Sequence, residues 1–292
     1  MRHALTVING FVRETQVYDT VQNIAKAPQP VVTFAHQLET LAHAYAATYN
    51  SEHEKWNKYS DAARRAIEVL NFFDIKPLRP LMLAIALKFS DKEAEKAFQF
   101  CVSLSTRLMI AGSTRTGSVE EGIAATGHKI YTDKTVDAAA LKSDLKALTP
   151  TDGVFAAAFE NASVSNRKLA RYYLRSMELA AKSEPEPWHI PNDDKTAINL
   201  EHVLPEKPEG NWPQFSDEQV KLYYKRIGNL CLLRASDNSA AKSASFAIKK
   251  PILAKSPYVL TKQIAEAVEW GWEDIVDRQK TLASMAVMAW PI

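Results

Sequence analysis
The sequence predicts a mainly α protein: a helical array over residues 1–183, then, over 184–292, a small core of two strands and a helix followed by further helices. Three observations predict this. Between about Val32 and Leu179 apolar residues recur at helical spacing, as in Phe34, Leu38, Leu41, Ala42 and Tyr45, which fall on one face of a helix. At Ser183-Glu184-Pro185-Glu186-Pro187-Trp188 two prolines and alternating acids cannot continue a helix, and the composition changes. Beyond that boundary stand two apolar runs of strand length, Thr196–Leu200 and Asn229–Arg234.

In the first part the spacing predicts helices at about 59–73, 76–88, 90–111, 135–148 and 164–182. Lys76-Pro77 and the run Thr149-Pro150-Thr151-Asp152-Gly153 act as breakers between them. The segment Ala111–Ser118 is rich in small hydroxylated residues, yet it lacks the Gly-Lys-Ser/Thr ending of a phosphate-cradling loop and reads as an inter-helix connection. After the boundary the first strand ends at Glu201-His202, and Pro205, Pro208, Gly210 and Pro213 mark loop. A short helix is expected at about 216–226, then the second strand, antiparallel to the first. Asp237 or Asn238 is positioned to cap a helix continuing towards Ile252. Two more helices, about 260–269 and 272–289, close the chain, with Trp270, Trp272 and Trp290 as apolar anchors.

A formal charge of +2 over 292 residues gives no whole-chain argument for a polyanionic partner, so any basic surface is local. One is present: from Lys221 to Lys255 eight basic residues, among them Arg234, Lys242, Lys249 and Lys250, stand against one acid, Asp237. The two cysteines, Cys101 and Cys231, are far apart in apolar segments, which fits buried thiols of a reducing compartment and excludes a zinc site built on cysteine pairs. With no membrane-length apolar run and no signal-peptide core at the N-terminus, a cytoplasmic protein is expected.

The chemistry concentrates at Leu200-Glu201-His202-Val203-Leu204-Pro205, where an acid and a histidine are neighbours at the end of an apolar run. Hydrolysis of a phosphodiester requires an activated water and a positive charge to neutralise the leaving oxygen. A histidine that is neutral at pH 7 can accept the proton, and carboxylate and amide oxygens such as those of Glu201 and Asn238 suit a hard cation such as magnesium. In a regular strand Glu201 and His202 face opposite ways, so both serve one site only if the chain bends there. Lone histidines such as His36, His43 and His128 read as surface or satisfied core residues.

Together, the Glu-His-hydrophobic-hydrophobic-Pro run at 201–205, Gly228-Asn229-Leu230-Cys231-Leu232-Leu233, the turn at Asn238 and Phe246-x-x-Lys249-Lys250 resemble the C-terminal HNH domain of the GmrSD family of modification-dependent restriction endonucleases. Eight residues separate Asn229 from Asn238, the interval HNH proteins place between their central Asn and their final His or Asn. The resemblance covers about 196–292 strongly and the helical region before it more weakly. It implies a ββα-metal nuclease core over 184–292 and a metal-dependent endonuclease acting on DNA, including modified foreign DNA, in restriction or anti-phage defence. By the same resemblance His202 is the general base, Asn229 the structural member of the catalytic set, and Glu201 and Asn238 ligands of magnesium, for which manganese can substitute. Lys242, Lys249, Lys250 and Arg234 are the expected DNA contacts. No zinc is implied. The final position departs from the His of many HNH enzymes, which should weaken metal affinity, and without a zinc knuckle the helices after 260 must brace the core. Nothing before Val32 offers the Gln-Arg motif of the family's N-terminal nucleotidase domain, so a fragment, or a sensor on another chain, is expected.

Two other function classes fit the same residues: a DNA-binding regulatory module that needs a separate sensor domain to act, and a helical interaction protein in which Glu201-His202 is incidental. Magnesium-dependent cleavage of plasmid DNA separates the first from the nuclease, and a spatial gap between His202 and Asn238 would favour the second.

Overall fold
In a computed structural model, residues 1–112, 117–182, 198–237 and 243–292 are described. The chain divides into two compact units, Met1–Pro150 and Thr151–Pro291. In the first, the helices are α1 (Arg2–Asn9), α2 (Val17–Ile24), α3 (Pro28–Tyr49), α4 (Asp61–Phe73), α5 (Arg79–Lys88), α6 (Asp91–Ile110), α7 (Gly117–Tyr131) and α8 (Ala138–Leu145). Helix α5 is buried on all sides from Arg79 to Ala86, as its sequence RPLMLAIALK, with no polar face, requires. It packs against α1, α3, α6 and α7. Helix α7 approaches it so closely that a Cβ at Gly127 would stand 3.3 Å from the Pro80 carbonyl oxygen, and glycine is what fits there.

The second unit holds α9 (Asp152–Phe159), α10 (Arg167–Lys182), β1 (Ile198–His202), α11 (Asp217–Tyr223), β2 (Leu230–Arg234), α12 (Phe246–Ala254), α13 (Val259–Lys262) and α14 (Trp272–Ala289). Strands β1 and β2 form a two-stranded antiparallel sheet. Helix α10 packs against both strands and against α14. A core of Val203, Leu204, Trp212, Phe215, Cys231, Leu233, Phe246, Leu253 and Trp270 fills the space between sheet, α12 and the following turns. Within the described residues no helix is long and apolar enough to cross a membrane.

The protein is mainly helical, and the helices expected at 59–73, 90–111, 135–148 and 164–182 overlap α4, α6, α8 and α10. The domain boundary differs. Contacts divide the chain at Pro150, ahead of the proline-acid stretch at Ser183, which lies outside the described residues, because α10 packs on the strands that follow it. Helix α9 begins at the Thr149–Gly153 run expected as a breaker: the Thr151 hydroxyl accepts from the Val154 N–H at 3.4 Å, so this run is a helix cap. Helix α7 is not among the helices expected from the sequence: Gly122 and Gly127 in its interior lower its helix propensity, although Val119, Ile123 and Ile130 fall on one face. No helix runs unbroken from Asp237 towards Ile252. Helix α12 starts at Phe246, after Ser245 in extended backbone (φ −63°, ψ 162°). The helix expected at 260–269 is short α13 followed by a 3₁₀ turn, Gln263–Glu266. Trp270 and Trp290 are buried anchors, whereas Trp272 is 38% exposed and stacks on Tyr223.

Candidate functional site
The register places Glu201 opposite Cys231 and His202 opposite Leu230. Paired residues share a face and successive residues alternate. Strand β1 stays regular through His202, so Glu201 turns with Cys231 towards Phe246 and Leu253 of α12, and His202 turns away. The bend that would bring acid and histidine onto one side is not formed.

Asn229 ends the 3₁₀ turn Ile227–Asn229 and is fully buried. Its Nδ2 donates to the carbonyls of Leu204 (2.8 Å) and Tyr224 (3.1 Å). Its Oδ1 accepts from the Leu204 N–H (2.8 Å) and from Trp270 Nε1 (3.2 Å). The Asn229 carbonyl accepts from the Val203 N–H at 3.0 Å, so this one residue ties down the chain immediately after His202. Every polar atom of the side chain is engaged within the fold.

The turn is itself held from α14. Arg278 is partly buried and donates from Nη1 to the carbonyls of Gly228 (2.6 Å) and Leu230 (2.9 Å). Burial lowers its pKa to about 10. Gln279 accepts from the Gly228 N–H at 2.7 Å and donates to the carbonyls of Phe159 (2.7 Å) and Ala162 (2.8 Å). A Cβ at Gly228 would stand 2.2 Å from the Ile275 carbonyl oxygen, so only glycine allows this approach.

His202 is half-buried, with its ring stacked on that of Tyr224 at 6.1 Å between centroids and 30° between planes. Burial, then the positive charges of Arg167, Lys249 and Lys225, lower its pKa to about 4, with Glu206 acting in the opposite sense. The imidazole is therefore neutral across the physiological range. His3, in the other unit, is likewise lowered to about 4, first by burial and then by Arg2. Below pH 6.5 the unfolded chain takes up protons that these two histidines refuse in the folded one. Stability that is full above pH 6.5 is then lost as the pH falls towards 4, by roughly 3 kcal/mol at most for His202 and by less for the more solvent-screened His3. Urea unfolding at pH 7, 5.5 and 4.5 should show this decline, and replacing both histidines with Gln should flatten it.

The structure places the remaining expected residues differently from one another. Lys249 is fully buried, so it presents no ammonium to a polyanion: its Nζ lies 2.5 Å from Glu201 Oε1 and 2.7 Å from the His202 carbonyl oxygen. This corrects the expectation that it contacts DNA. Lys250 is partly buried and donates to the Ala267 carbonyl at 2.8 Å. Arg234, at the end of β2, is exposed. Asn238 and Lys242 lie outside the described residues.

Burial pushes the Glu201 carboxyl up, against the pull of the Lys249 ammonium and the His202 N–H. Magnesium, the cation the resemblance implies, asks for oxygen donors with room for water. Glu201 does not fit that demand as arranged. Its carboxylate is buried, one oxygen is bonded to an ammonium, and it faces away from His202. Among the described residues no group of three or more His, Cys, Asp or Glu side chains is arranged to hold a metal ion.

Two neighbours of His202 escaped the sequence reading. Arg167 opens α10, and its Nη2 donates to the Leu200 carbonyl at 3.3 Å, across 33 residues that no motif spacing links. Tyr224 follows α11 and supplies the stacking ring, its hydroxyl 3.4 Å from Glu206 Oε1. The signal for Tyr224 was its place five residues before Asn229, inside the basic run. For Arg167 there was none.

The family model described as the C-terminal domain of GmrSD restriction endonucleases matches residues 149–285, just under half of the chain. The match begins beside Pro150, where the contacts divide the two units. No curated protein matches the chain.

Proposed function
We propose, from the premise that this chain belongs to the GmrSD restriction endonuclease family through its C-terminal domain at 149–285, that it is an HNH-type endonuclease hydrolysing DNA phosphodiesters. In this reading β1, β2 and α12 are the ββα core. The observation that carries it is His202: a neutral imidazole at the end of β1, flanked by cations, with the chain behind it fixed by Asn229. A neutral imidazole takes a proton from water as the water oxygen bonds to phosphorus and the scissile P–O bond breaks. Arg167 and Lys225 are close enough to depress the histidine pKa, and so close enough to offset charge on a phosphate docked there. The leaving oxygen departs as it gains a proton from solvent. No step here is assigned to a metal on Glu201. In this reading exposed Arg234 is a DNA contact of the basic run, and restriction of modified foreign DNA, with a sensor on another domain or chain, is the role that fits the family.

The test is cleavage of supercoiled plasmid by the full chain, on modified and unmodified DNA of one sequence, with magnesium, with manganese and with a chelator. Nicked or linear product is expected. Because the base stays neutral down to about pH 4, kcat/KM should hold from pH 8 to about 5 and fall only below that. A fall centred near pH 6.5 would remove His202 from the role. Loss of cleavage in chelator would support the divalent cation, and full activity in chelator would count against it.

A further inference from the structure
The fully buried Lys249 is a residue that neither a DNA contact nor a solvated face explains. An ammonium stem taken out of water is costly unless every partner is supplied. Here two are supplied, both from β1: the Glu201 carboxylate at 2.5 Å and the His202 carbonyl at 2.7 Å. The lysine comes from α12, 47 residues after His202, where Phe246 and Leu253 of the same helix pack in the core that also holds Cys231, the strand partner of Glu201. One cation thus spans the helix and the last two residues of the strand. On the other side of His202, Asn229 fixes Val203 and Leu204. The peptide carrying the imidazole is held before and after the ring.

We propose that Lys249 is a positioning residue, paired with Glu201 to lock the His202 backbone onto α12, and that Glu201 serves this lock and not a metal. The pair replaces the metal ligation expected of Glu201: the carboxylate's counter-charge is an internal ammonium built into the helix. That the lock sets the rate of hydrolysis rests on the proposed nuclease reading. The pairing itself does not, and the experiment separates the two.

The full chain is compared with Glu201→Leu, Lys249→Met and the double variant. Removing one partner of a buried pair leaves the other uncompensated, whereas replacing both with apolar residues is close to neutral. Each single change should therefore lower the unfolding temperature by roughly 6–15 °C, and the double variant should recover to within a few degrees of the parent. Losses that simply add in the double variant would overturn the pairing. Manganese affinity, measured by calorimetry with the metal alone, should be unchanged by the double substitution, and a tenfold or greater loss would restore Glu201 as a ligand. These two arms stand whether or not the chain cleaves DNA. Where cleavage is measurable, the refolded double variant should lose kcat by roughly 100-fold with KM little changed, because the imidazole is no longer held in register. Parent-like kcat in that variant would reduce the pair to a purely structural one and overturn the positioning role.

Discussion
Replacing His202 with Ala is expected to lower DNA cleavage by roughly 10²–10⁴-fold, the range measured when a general base is removed. The loss should fall on kcat. The base acts on the water in the transition state and contributes little to ground-state binding, so KM and DNA affinity should stay near those of the parent. Folding should survive as well. His202 is half-buried at the end of a strand, no described hydrogen bond of the fold runs through its ring, and the strand is held by its backbone pairing to Leu230 and by Lys249. Removing a group whose protonation opposes folding in acid should even relieve some of the stability lost below pH 6.5. Single-turnover kinetics and urea unfolding on the same preparation check both halves. A variant that unfolds easily and cleaves poorly would show a structural residue; one that cleaves like the parent would show that the base lies elsewhere.

The second large effect is expected at Asn229. Replacement with Ala leaves the Leu204 N–H and C=O, the Tyr224 C=O and the Trp270 indole N–H without the partner each now has. Unsatisfied buried groups cost about 1–3 kcal/mol apiece, and some relaxation is available, so roughly 4 kcal/mol of stability should be lost. Asn229→Asp keeps the acceptor but loses both donors and buries a charge, and should do no better. Calorimetry should show the unfolding transition of the second unit lowered by roughly 8–16 °C. Cleavage should fall with it, because Val203 and Leu204 follow His202 directly. A loss under about 1 kcal/mol would mean that other contacts hold this loop, and that Asn229 is not its anchor.

Much of this arrangement was legible in the sequence, for identifiable reasons. The strands were visible because a two-stranded sheet buried by a helix and a core needs short continuous apolar runs, which Ile198–His202 and Leu230–Arg234 supply. The long helices were visible because their buried faces repeat with the helical period. What could not be read were the consequences of contacts far apart in sequence. Lys249 looked like one charge in a basic run, and it took the packing of α12 on the strand to turn it inwards. Glu201 and His202 looked like one site because they are neighbours, although strand geometry separates them unless the chain bends. Arg167 belongs to a helix that the composition assigned to the preceding domain, and only its packing on β1 places it beside the histidine. Helix α9 was hidden because a Thr-Asp-Gly run serves a turn and a helix cap equally well, and only the backbone conformation that follows decides whether the local hydroxyl bond caps a helix.

In the proposed reaction the imidazole of His202 removes a proton from water while a DNA phosphodiester is hydrolysed. The most direct measurement is chemical rescue: His202→Ala assayed on plasmid DNA in rising concentrations of imidazole. The side-chain deletion leaves space beside Tyr224 for a free imidazole to take the lost ring's place. Cleavage by the variant should return in proportion to imidazole and follow the concentration of its neutral form as the pH is varied, while the same buffer should leave the rate of the parent chain unchanged. Cleavage by the alanine variant at the parent rate without imidazole would contradict the proposed reaction, as would rescue that follows the protonated form.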